Sequence, residues 1–513
     1  MIDNVAAASS ARDHGAPRGG LMQRAVDFVD QHPWRAFFSF AGIHVVVWTL
    51  APWFLFPNLP LDLIEALIYG REWQLGYDKL PPLPWYIVEI LYRLFHADIA
   101  YYLFAQLTVV TAFAFVFRLA LTLTNARAAL AAVLIIDGLH YFTSTSPKFN
   151  HDVIQLPFWA LAGFSYYYAL RTQRMVHWVL LGIALGGAFW AKYFVAMLTV
   201  PLALFVLFDR DARPSLRTAG PYLAAIIALI IATPHLIWLV QNDFLPLHYV
   251  EARATPPRGW YDYVWRPLQF ALGQLGWMLP SLAIAVTLVI PWRERAASDV
   301  DRFSRRIVTV LTFGPCALLL ATSAISGGKV IGMWGYPLWL FLGLWLVLRI
   351  GPIAEPARFV RLGTAWAVAT AIYVIAFVFY MAVDPRTRLT YRAELFPGPA
   401  VAHELAARFE KETGQPIAYV IAPMYFGGNV SHYAKEAPRT VIDGDLSRVP
   451  WIDPADLKRR GALVMWVESD PGSVPEAYRA LAGDAVPRQP LQFPAIWGQW
   501  VHTIGWTIVP PKR

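Results

Sequence analysis

The segment DLIEALIYGREWQLGYDKLPPLPW, residues 62–85, follows directly on a run of about twenty nearly uncharged residues. A run of that length and composition suits a helix that crosses a lipid bilayer. The segment after it is rich in charged side chains: Asp62, Glu65, Arg71, Glu72, Asp78 and Lys79. Carboxylates that lose water beside a bilayer usually mark a functional site. This boundary therefore predicts a membrane protein whose active groups lie at one membrane surface.

The composition of the whole chain also indicates a membrane protein. Of the 513 residues, 57% are hydrophobic and only 15% are charged, whereas a soluble protein of this size needs more charged surface. The net charge of +8 comes mainly from arginines between apolar runs. Membrane topology explains that excess better than a nucleic-acid partner does. Cys316 is the single cysteine, so no disulfide can form within the chain.

Eleven apolar runs approach the roughly 20 residues that a helix needs to cross the hydrocarbon. They are 36–56, 99–118, 128–143, 152–170, 176–191, 193–208, 219–240, 268–291, 307–325, 334–348 and 362–383. The third, fifth and tenth runs are short, and the pair around Lys192 could be misread as one long helix. We predict about eleven transmembrane helices.

Positive charge orients these spans. If the amino terminus is inside, fifteen arginines fall in the inner connections, as the positive-inside rule expects. They are Arg118, Arg127, Arg171, Arg174, Arg210, Arg213, Arg217, Arg293, Arg295, Arg302, Arg305, Arg306, Arg349, Arg358 and Arg361. This topology places the first long loop, residues 57–98, and the whole of residues 384–513 on the outer side.

The chain is therefore predicted to have three parts. Residues 1–35 are polar and lack a signal peptide's short apolar core, so they are predicted to form a cytoplasmic tail. Residues 36–383 form a polytopic helical membrane module. Residues 384–513 show an α/β rhythm: a helix that ends at Gly414, buried strands at 417–422 and 462–468, a capped helix at 453–460, and one or two strands within 494–509. They are predicted to form a small α/β domain on the outer face.

Asp62 and Glu65 are the first candidates for chemistry. They are three residues apart, so they share one face of a helix. Apolar neighbours predict that this helix lies in the membrane interface. A solvated polar face is the alternative.

The next element could position substrate. Gly76 permits a tight turn, and three prolines are expected to exclude a helix until Trp85. Residues 85–95 are then predicted to form a second interfacial helix. The element is either a clamp that holds Tyr77 and Lys79 over the acids or a simple spacer.

Four lysines fall in four separate outer connections. They are Lys79, Lys148, Lys192 and Lys329. Interfacial snorkelling explains any one of them, but positive charge is usually avoided on the outer side. An ammonium there suits a phosphate group whose lipid tail remains in the bilayer.

Lys148 is followed by Asn150, His151 and Asp152 at the outer mouth of the fourth span. Asn150 or Asp152 could bind substrate or could simply cap that helix. His151 and nearby carboxylates could bind a divalent metal, but the spacing resembles no dedicated metal motif, and a lone surface histidine is the simpler interpretation. The aromatic loop 241–266 could stack on a sugar or form an interfacial belt.

No nucleotide-binding, Ser/His/Asp or paired-cysteine motif is present in the sequence. An enzyme that works on the outer side has no nucleotide sugars available. It would have to use a donor that is already carried across the membrane on a lipid.

With these features the chain resembles the GT-C superfamily of polytopic glycosyltransferases. It is most similar to the family 39 branch, which includes the protein O-mannosyltransferases and the lipid A aminoarabinose transferase. The resemblance covers the long first outer loop, the acids after the first span, the GY…PPL element, the segment FNHDVIQLPFWAL at 149–161, and the outer carboxy-terminal domain. It implies a multi-pass protein of the bacterial inner membrane, with its active site and carboxy-terminal domain on the periplasmic face.

The resemblance also implies an inverting transfer of a monosaccharide from a polyprenyl-phosphate donor. Asp62 would deprotonate the acceptor hydroxyl, and Glu65 would position acceptor or sugar. Many relatives have two adjacent acids, whereas here two residues separate Asp62 and Glu65. Which of the two is the base therefore stays open. Lys79, Lys192 and Lys329 would neutralise the leaving phosphate. Bacterial relatives often have a histidine where this chain has Leu80.

The leading hypothesis is thus an integral-membrane glycosyltransferase. Its acceptor would be lipid A, lipopolysaccharide core, another glycolipid, a polysaccharide or a protein. No cofactor is obligatory in this scheme, although a divalent metal stays open. The alternative from another class is a transporter or flippase of lipid-linked sugars, which would be expected to show inverted repeats and polar groups at the bilayer midplane. A degenerate relative with a binding role is a third hypothesis.

Overall fold

The computed structural model describes residues 20–253, 255–289, 300–467 and 470–512. Within these ranges the chain forms twenty α-helices and five β-strands. The helices are α1 (Leu21–Gln31), α2 (Pro33–Leu55), α3 (Leu61–Gly70), α4 (Leu83–Phe95), α5 (Ile99–Leu123), α6 (Ala126–Asp137), α7 (His151–Thr172), α8 (Met175–Ala191), α9 (Ala196–Phe208), α10 (Gly220–Gln241), α11 (Leu245–Arg253), α12 (Asp262–Val286), α13 (Arg302–Ser326), α14 (Leu342–Ile350), α15 (Pro356–Val378), α16 (Asp384–Thr387), α17 (Gly398–Thr413), α18 (Met424–Tyr433), α19 (Pro454–Arg460) and α20 (Glu476–Ala482). The strands are β1 (Tyr419–Ala422), β2 (Arg439–Ile442), β3 (Ala462–Trp466), β4 (Leu491–Pro494) and β5 (Val501–Val509).

Six helical stretches are long and apolar enough to cross a membrane. Five are the single helices α2, α5, α10, α12 and α13. The sixth, Pro356–Thr387, joins α15 to α16 through a π-helical turn. The other five predicted runs lie on α6, α7, α8, α9 and α14, which are shorter or less apolar. The count of eleven spans therefore stays a prediction.

Several predicted boundaries were wrong for local reasons. The third run continues to residue 143 in sequence, but α6 ends at Asp137 and short 3₁₀ turns follow. The tenth run becomes α-helical only at Leu342, because residues 332–341 form a 3₁₀ turn and further turns around Gly335 and Pro337. Residues 20–35 of the predicted tail form α1 and the start of α2, while residues 1–19 lie outside the described part. The end of the eighth run, 290–291, also lies outside it.

The two interfacial helices predicted in the first outer loop are α3 and α4. The second begins at Leu83 and not at Trp85, as was expected from the prolines. Pro84 lies in the first turn of α4, where the N–H that proline lacks would have no partner within the helix. The proline-rich element is therefore part of the helix start.

The carboxy-terminal part contains one sheet with strand order β2-β1-β3-β5-β4. β1 pairs in parallel with β2 and β3, whereas β5 runs antiparallel to β3 and β4. The predicted helix is α17, and Gly414 follows it with a positive φ of 68° that glycine adopts without strain. The predicted capped helix is α19, where the Asp453 side chain accepts a hydrogen bond from the backbone of Ala455. Residue 468, the last of the second predicted strand (462–468), lies outside the described residues.

Helix α18 attaches this sheet domain to α3. At Gly428 the two helices touch so closely that an added Cβ atom would lie 2.5 Å from Cγ2 of Ile64 and from Cδ1 of Ile68. Two other residues of α18, Tyr425 and Asn429, each accept a hydrogen bond from buried Asn58 at 2.9 Å. This sheet domain, the predicted outer domain, therefore fixes the helix that carries Asp62 and Glu65.

Candidate active site

Six of the predicted site residues line one cavity of about 350 Å³. They are Asp62, Glu65, Lys79, Asn150, Asp152 and Lys192. The first two lie on α3, Lys79 lies in the loop before α4, Asn150 and Asp152 begin α7, and Lys192 follows α8. Elements far apart in sequence thus bring charged groups together at one end of the helical bundle.

Asp62 receives a hydrogen bond from Asn150, whose Nδ2 lies 2.8 Å from Asp62 Oδ2. The Oδ1 atom of Asn150 accepts from the backbone N–H groups of Asp152 and Val153, at 3.0 and 3.2 Å. Asn150 therefore caps α7 as predicted and also contacts Asp62, while its binding of substrate stays a prediction. Phe149, just before it, is buried with φ at 34°, a strained value for a residue with a side chain. The surrounding packing holds this turn in place.

Glu65 pairs with Lys79, with Nζ and Oε2 2.9 Å apart. Burial raises the pKa of Glu65 above its ordinary value, and the opposing charge of Lys79 offsets only part of that rise. Burial alone would lower the pKa of Lys79, but the negative charge of Glu65, with smaller effects from Tyr249 and Asp78, raises it overall. The lysine therefore stays charged and its ammonium is held beside the cavity.

A second ion pair joins Lys192 to Asp152, with Nζ 2.6 Å from Oδ1. Gln155 Nε2 donates to the same oxygen at 3.0 Å. Lys192 ends α8, so its ammonium comes from a different part of the bundle from that of Lys79. Among the described residues, Asp62 is the one acid of this cavity without an ion-pair partner.

The interpretation of His151 as a lone surface residue was wrong. The residue is buried and lines the cavity. Its Nε2 lies 3.1 Å from the carbonyl oxygen of Pro81, which can only accept, so Nε2 carries the proton. Its ring packs edge-on against Trp85. Within the described ranges no group of three His, Cys, Asp or Glu side chains could hold a metal ion.

Three predicted substrate-binding residues do not line the cavity. Tyr77 is buried among aromatic rings, and its hydroxyl donates to the carbonyl of Tyr69 at 2.6 Å, so it supports the end of α3. Lys148 is half-exposed, with Nζ 3.8 Å from Glu394 Oε1. Lys329 is exposed on a loop whose later residues reach the cavity. Their predicted substrate contacts have no support in this geometry.

The structure adds cavity residues that the sequence did not single out. Tyr249, from the aromatic loop 241–266, lies with its ring 5.4 Å from Lys79 Nζ. Trp334 follows the loop of Lys329, and Met424 comes from the outer domain, two residues after β1. The aromatic richness of the loop was a usable signal for Tyr249. Met424 had none, because its contact depends on how two distant parts of the chain pack.

Comparisons with known proteins agree with this architecture. Residues 79–238 match the family model described as dolichyl-phosphate-mannose-protein mannosyltransferase. The structure of ArnT from Cupriavidus metallidurans bound to undecaprenyl phosphate is similar with a TM-score of 0.62 and 14% identity, over 91% of this chain and 97% of that chain. The resemblance to the GT-C glycosyltransferases is confirmed. The GT-C fold also extends to arabinofuranosyltransferase AftD from mycobacteria, with a TM-score of 0.50 and 14% identity over 92% of this chain and 40% of that one.

Two curated relatives of this chain come from Rhizobium johnstonii. The lipid A galacturonosyltransferase RgtD is 24% identical over 315 residues, which are 58% of this chain and 64% of the relative. The lipopolysaccharide core galacturonosyltransferase RgtB is 25% identical over 320 residues, 60% of each chain. The matched region thus spans less than two thirds of either relative. Together with the apolar helices, these similarities identify a multi-pass membrane protein with the GT-C fold.

Proposed function

We propose that this protein is an integral-membrane glycosyltransferase that moves a monosaccharide from a polyprenyl-phosphate donor to an acceptor in the bacterial envelope. The observation that carries the proposal is the single cavity that combines Asp62, which has no ion pair among the described residues, with the ammonium groups of Lys79 and Lys192. Such a cavity offers a base for the acceptor and positive charge for a departing phosphate. The similarity to two galacturonosyltransferases supports sugar transfer, and the likeness to ArnT bound to undecaprenyl phosphate supports a polyprenyl-phosphate donor.

Asp62 is the best candidate for the general base. Glu65 forms an ion pair with Lys79 and Asp152 forms one with Lys192, whereas Asp62, among the described residues, is held by the amide of Asn150 alone. In the proposed reaction, Asp62 takes the proton of the acceptor hydroxyl as its oxygen attacks the anomeric carbon from the side opposite the phosphate. The bond from that carbon to the phosphate oxygen breaks, and the polyprenyl phosphate leaves with the electron pair. The configuration at the anomeric carbon is inverted.

The two lysines of the cavity are proposed to act on the donor. As the carbon–oxygen bond breaks, negative charge grows on the phosphate, and a fixed ammonium beside it lowers the barrier. Glu65 would orient Lys79, and Asp152 would orient Lys192. Because these cations can meet the phosphate charge, we propose that no metal is obligatory.

The acceptor is proposed to be a glycolipid of the envelope, since both curated relatives are named for transfer to lipid A or to lipopolysaccharide core. We further propose eleven spans, an inner-membrane location, and a periplasmic active site and outer domain. At that surface a lipid-borne donor from the bilayer can meet an acceptor from the outside.

Transfer can be tested with purified protein in liposomes that contain labelled polyprenyl-phosphate sugars, starting with galacturonic acid. Lipid A, core oligosaccharide and a peptide library would be offered as acceptors. The proposal expects labelled glycolipid and free polyprenyl phosphate. If no donor is consumed but the lipid-linked sugar moves between leaflets, the protein is a transporter and the proposal is wrong.

A further inference from the structure

A buried carboxylate lies directly beside Lys79 in the chain. Asp78 is 2% exposed, and both of its oxygens are occupied. The Tyr69 hydroxyl donates to Oδ1 at 2.6 Å, and the Arg448 Nε donates to Oδ2 at 2.7 Å. Arg448 belongs to the outer domain, six residues after β2. A single guanidinium from the sheet domain thus neutralises an acid next to a cavity lysine.

The segment around Arg448 also packs against aromatic residues near Asp78. The Trp451 ring packs against Tyr77, with 5.5 Å between ring centroids, and against Tyr69 at 6.1 Å. Arg448 also forms an ion pair with Asp443, directly after β2. A residue of its own domain thus helps to hold the guanidinium in place. The contact is therefore built into the interface between the outer domain and the first outer loop.

Lys79 has two carboxylates within electrostatic reach. Glu65 binds it directly at 2.9 Å, and Asp78 also acts on its charge. If Asp78 lost Arg448, it would be a buried anion with one hydroxyl donor, and a buried charge of that kind draws the nearest available cation. That cation would be Lys79, and the lysine would then leave Glu65 and the cavity.

We propose that Arg448 is a positioning residue of the active site, which acts through Asp78 to keep Lys79 beside Glu65 and available to the donor phosphate. This inference rests on the proposed function and gives the outer domain a part in it. Through this contact the outer domain sets where a cavity cation points.

The test uses full-length protein with undecaprenyl phosphate as the binding probe. We expect Arg448→Met to weaken binding of this lipid about tenfold, because a buried ion pair is broken and a competitor for Lys79 is released. The KM for the sugar donor should rise with it, with kcat changing less. Arg448→Lys should restore part of the affinity.

Two further variants separate positioning from structural support. The double variant Arg448→Met with Asp78→Asn removes the competing charge, so binding should recover toward the wild type. Arg439→Met breaks another ion pair between the outer domain and this loop, with Glu72 at 3.1 Å, but no lysine lies beside that acid in sequence. It should leave lipid binding unchanged.

Thermal unfolding of each variant would be recorded in parallel. Wild-type binding in Arg448→Met, or a double variant that binds as weakly as the single one, would overturn the inference and leave the proposed function intact. Wild-type protein that neither binds undecaprenyl phosphate nor transfers sugar would overturn both.

Discussion

Asp62 and Glu65 lie less than one helical turn apart on α3, yet their surroundings differ. Asp62 is half-buried and accepts a hydrogen bond from the Asn150 amide. Glu65 is buried and holds the Lys79 ammonium. The sequence showed that the two acids share a helix face but left open which one is the base. Their partners, which come from distant residues, make the distinction.

Protonation of Glu65 should be visible in the pH dependence of transfer. Because burial raises the pKa of Glu65 above 4.5, the residue takes up a proton on acidification earlier than an exposed glutamate does. Neutral Glu65 no longer attracts the Lys79 ammonium. As the pH is lowered, kcat/KM for the donor should therefore begin to decline while the pH is still above 4.5. Glu65→Gln cannot take up this proton. The decline of its kcat/KM on acidification should therefore occur at a lower pH than in the wild type. Profiles of the two proteins that coincide would contradict this account.

How far the site could be predicted depends on where each residue lies in its element. Asp62, Asn150, Asp152 and Lys192 lie at the outer ends of predicted spans, so topology alone brings them to one face. Lys329 and Lys148 lie in connections on the same face, but the direction of a loop side chain depends on tertiary packing. The sequence therefore predicted that these four residues lie together, but it predicted only part of the cavity lining.

At the scale of elements, the position of α3 depends on α18. The helices meet at Gly428, where the missing side chain lets Ile64 and Ile68 approach the backbone. Neither this contact nor α18 itself was predicted, because a glycine in a short helix carries no signal of its partner. In contrast, α17 and α19 were predicted from their own end signals, Gly414 and Asp453.

Gly428→Ala should push α3 away from the outer domain. The added methyl group would clash with two isoleucine side chains, and overpacking of this kind costs about 1–3 kcal/mol. We expect a lower unfolding temperature and reduced transfer, since the acids move with α3. Gly363→Ala is the matched control, because no atom lies within 4 Å of its added Cβ. Equal stability of the two variants would show that α3 does not need this close contact.

At the scale of the whole molecule, the alternation of apolar runs and arginines predicted the fold class, and the comparisons confirm the GT-C resemblance. The exact span count could not be predicted in the same way. Several membrane-module helices, such as α6 with 12 residues and α14 with 9, are shorter than a helix needs to cross the hydrocarbon, and most of their residues are buried in the bundle.

Orientation in the membrane can be tested with single cysteines. The chain has one native cysteine, Cys316, so Cys316→Ala provides a background without thiols. Lys329→Cys and Arg210→Cys place exposed thiols on the predicted outer and inner sides. An impermeant maleimide added to intact spheroplasts should label the first, and should label the second only after the membrane is opened. The reverse pattern would invert the proposed topology.

The most direct test of the central claim is single-turnover transfer by wild type, Asp62→Asn and Glu65→Gln, with undecaprenyl phosphate affinity measured on the same preparations. If Asp62 is the base, Asp62→Asn should transfer sugar about 10²–10⁴-fold more slowly while it binds the lipid as the wild type does. Glu65→Gln should lose affinity more than rate, because it releases Lys79. Full transfer by Asp62→Asn, or loss of rate without loss of binding in Glu65→Gln, would contradict the account and move the base to another acid.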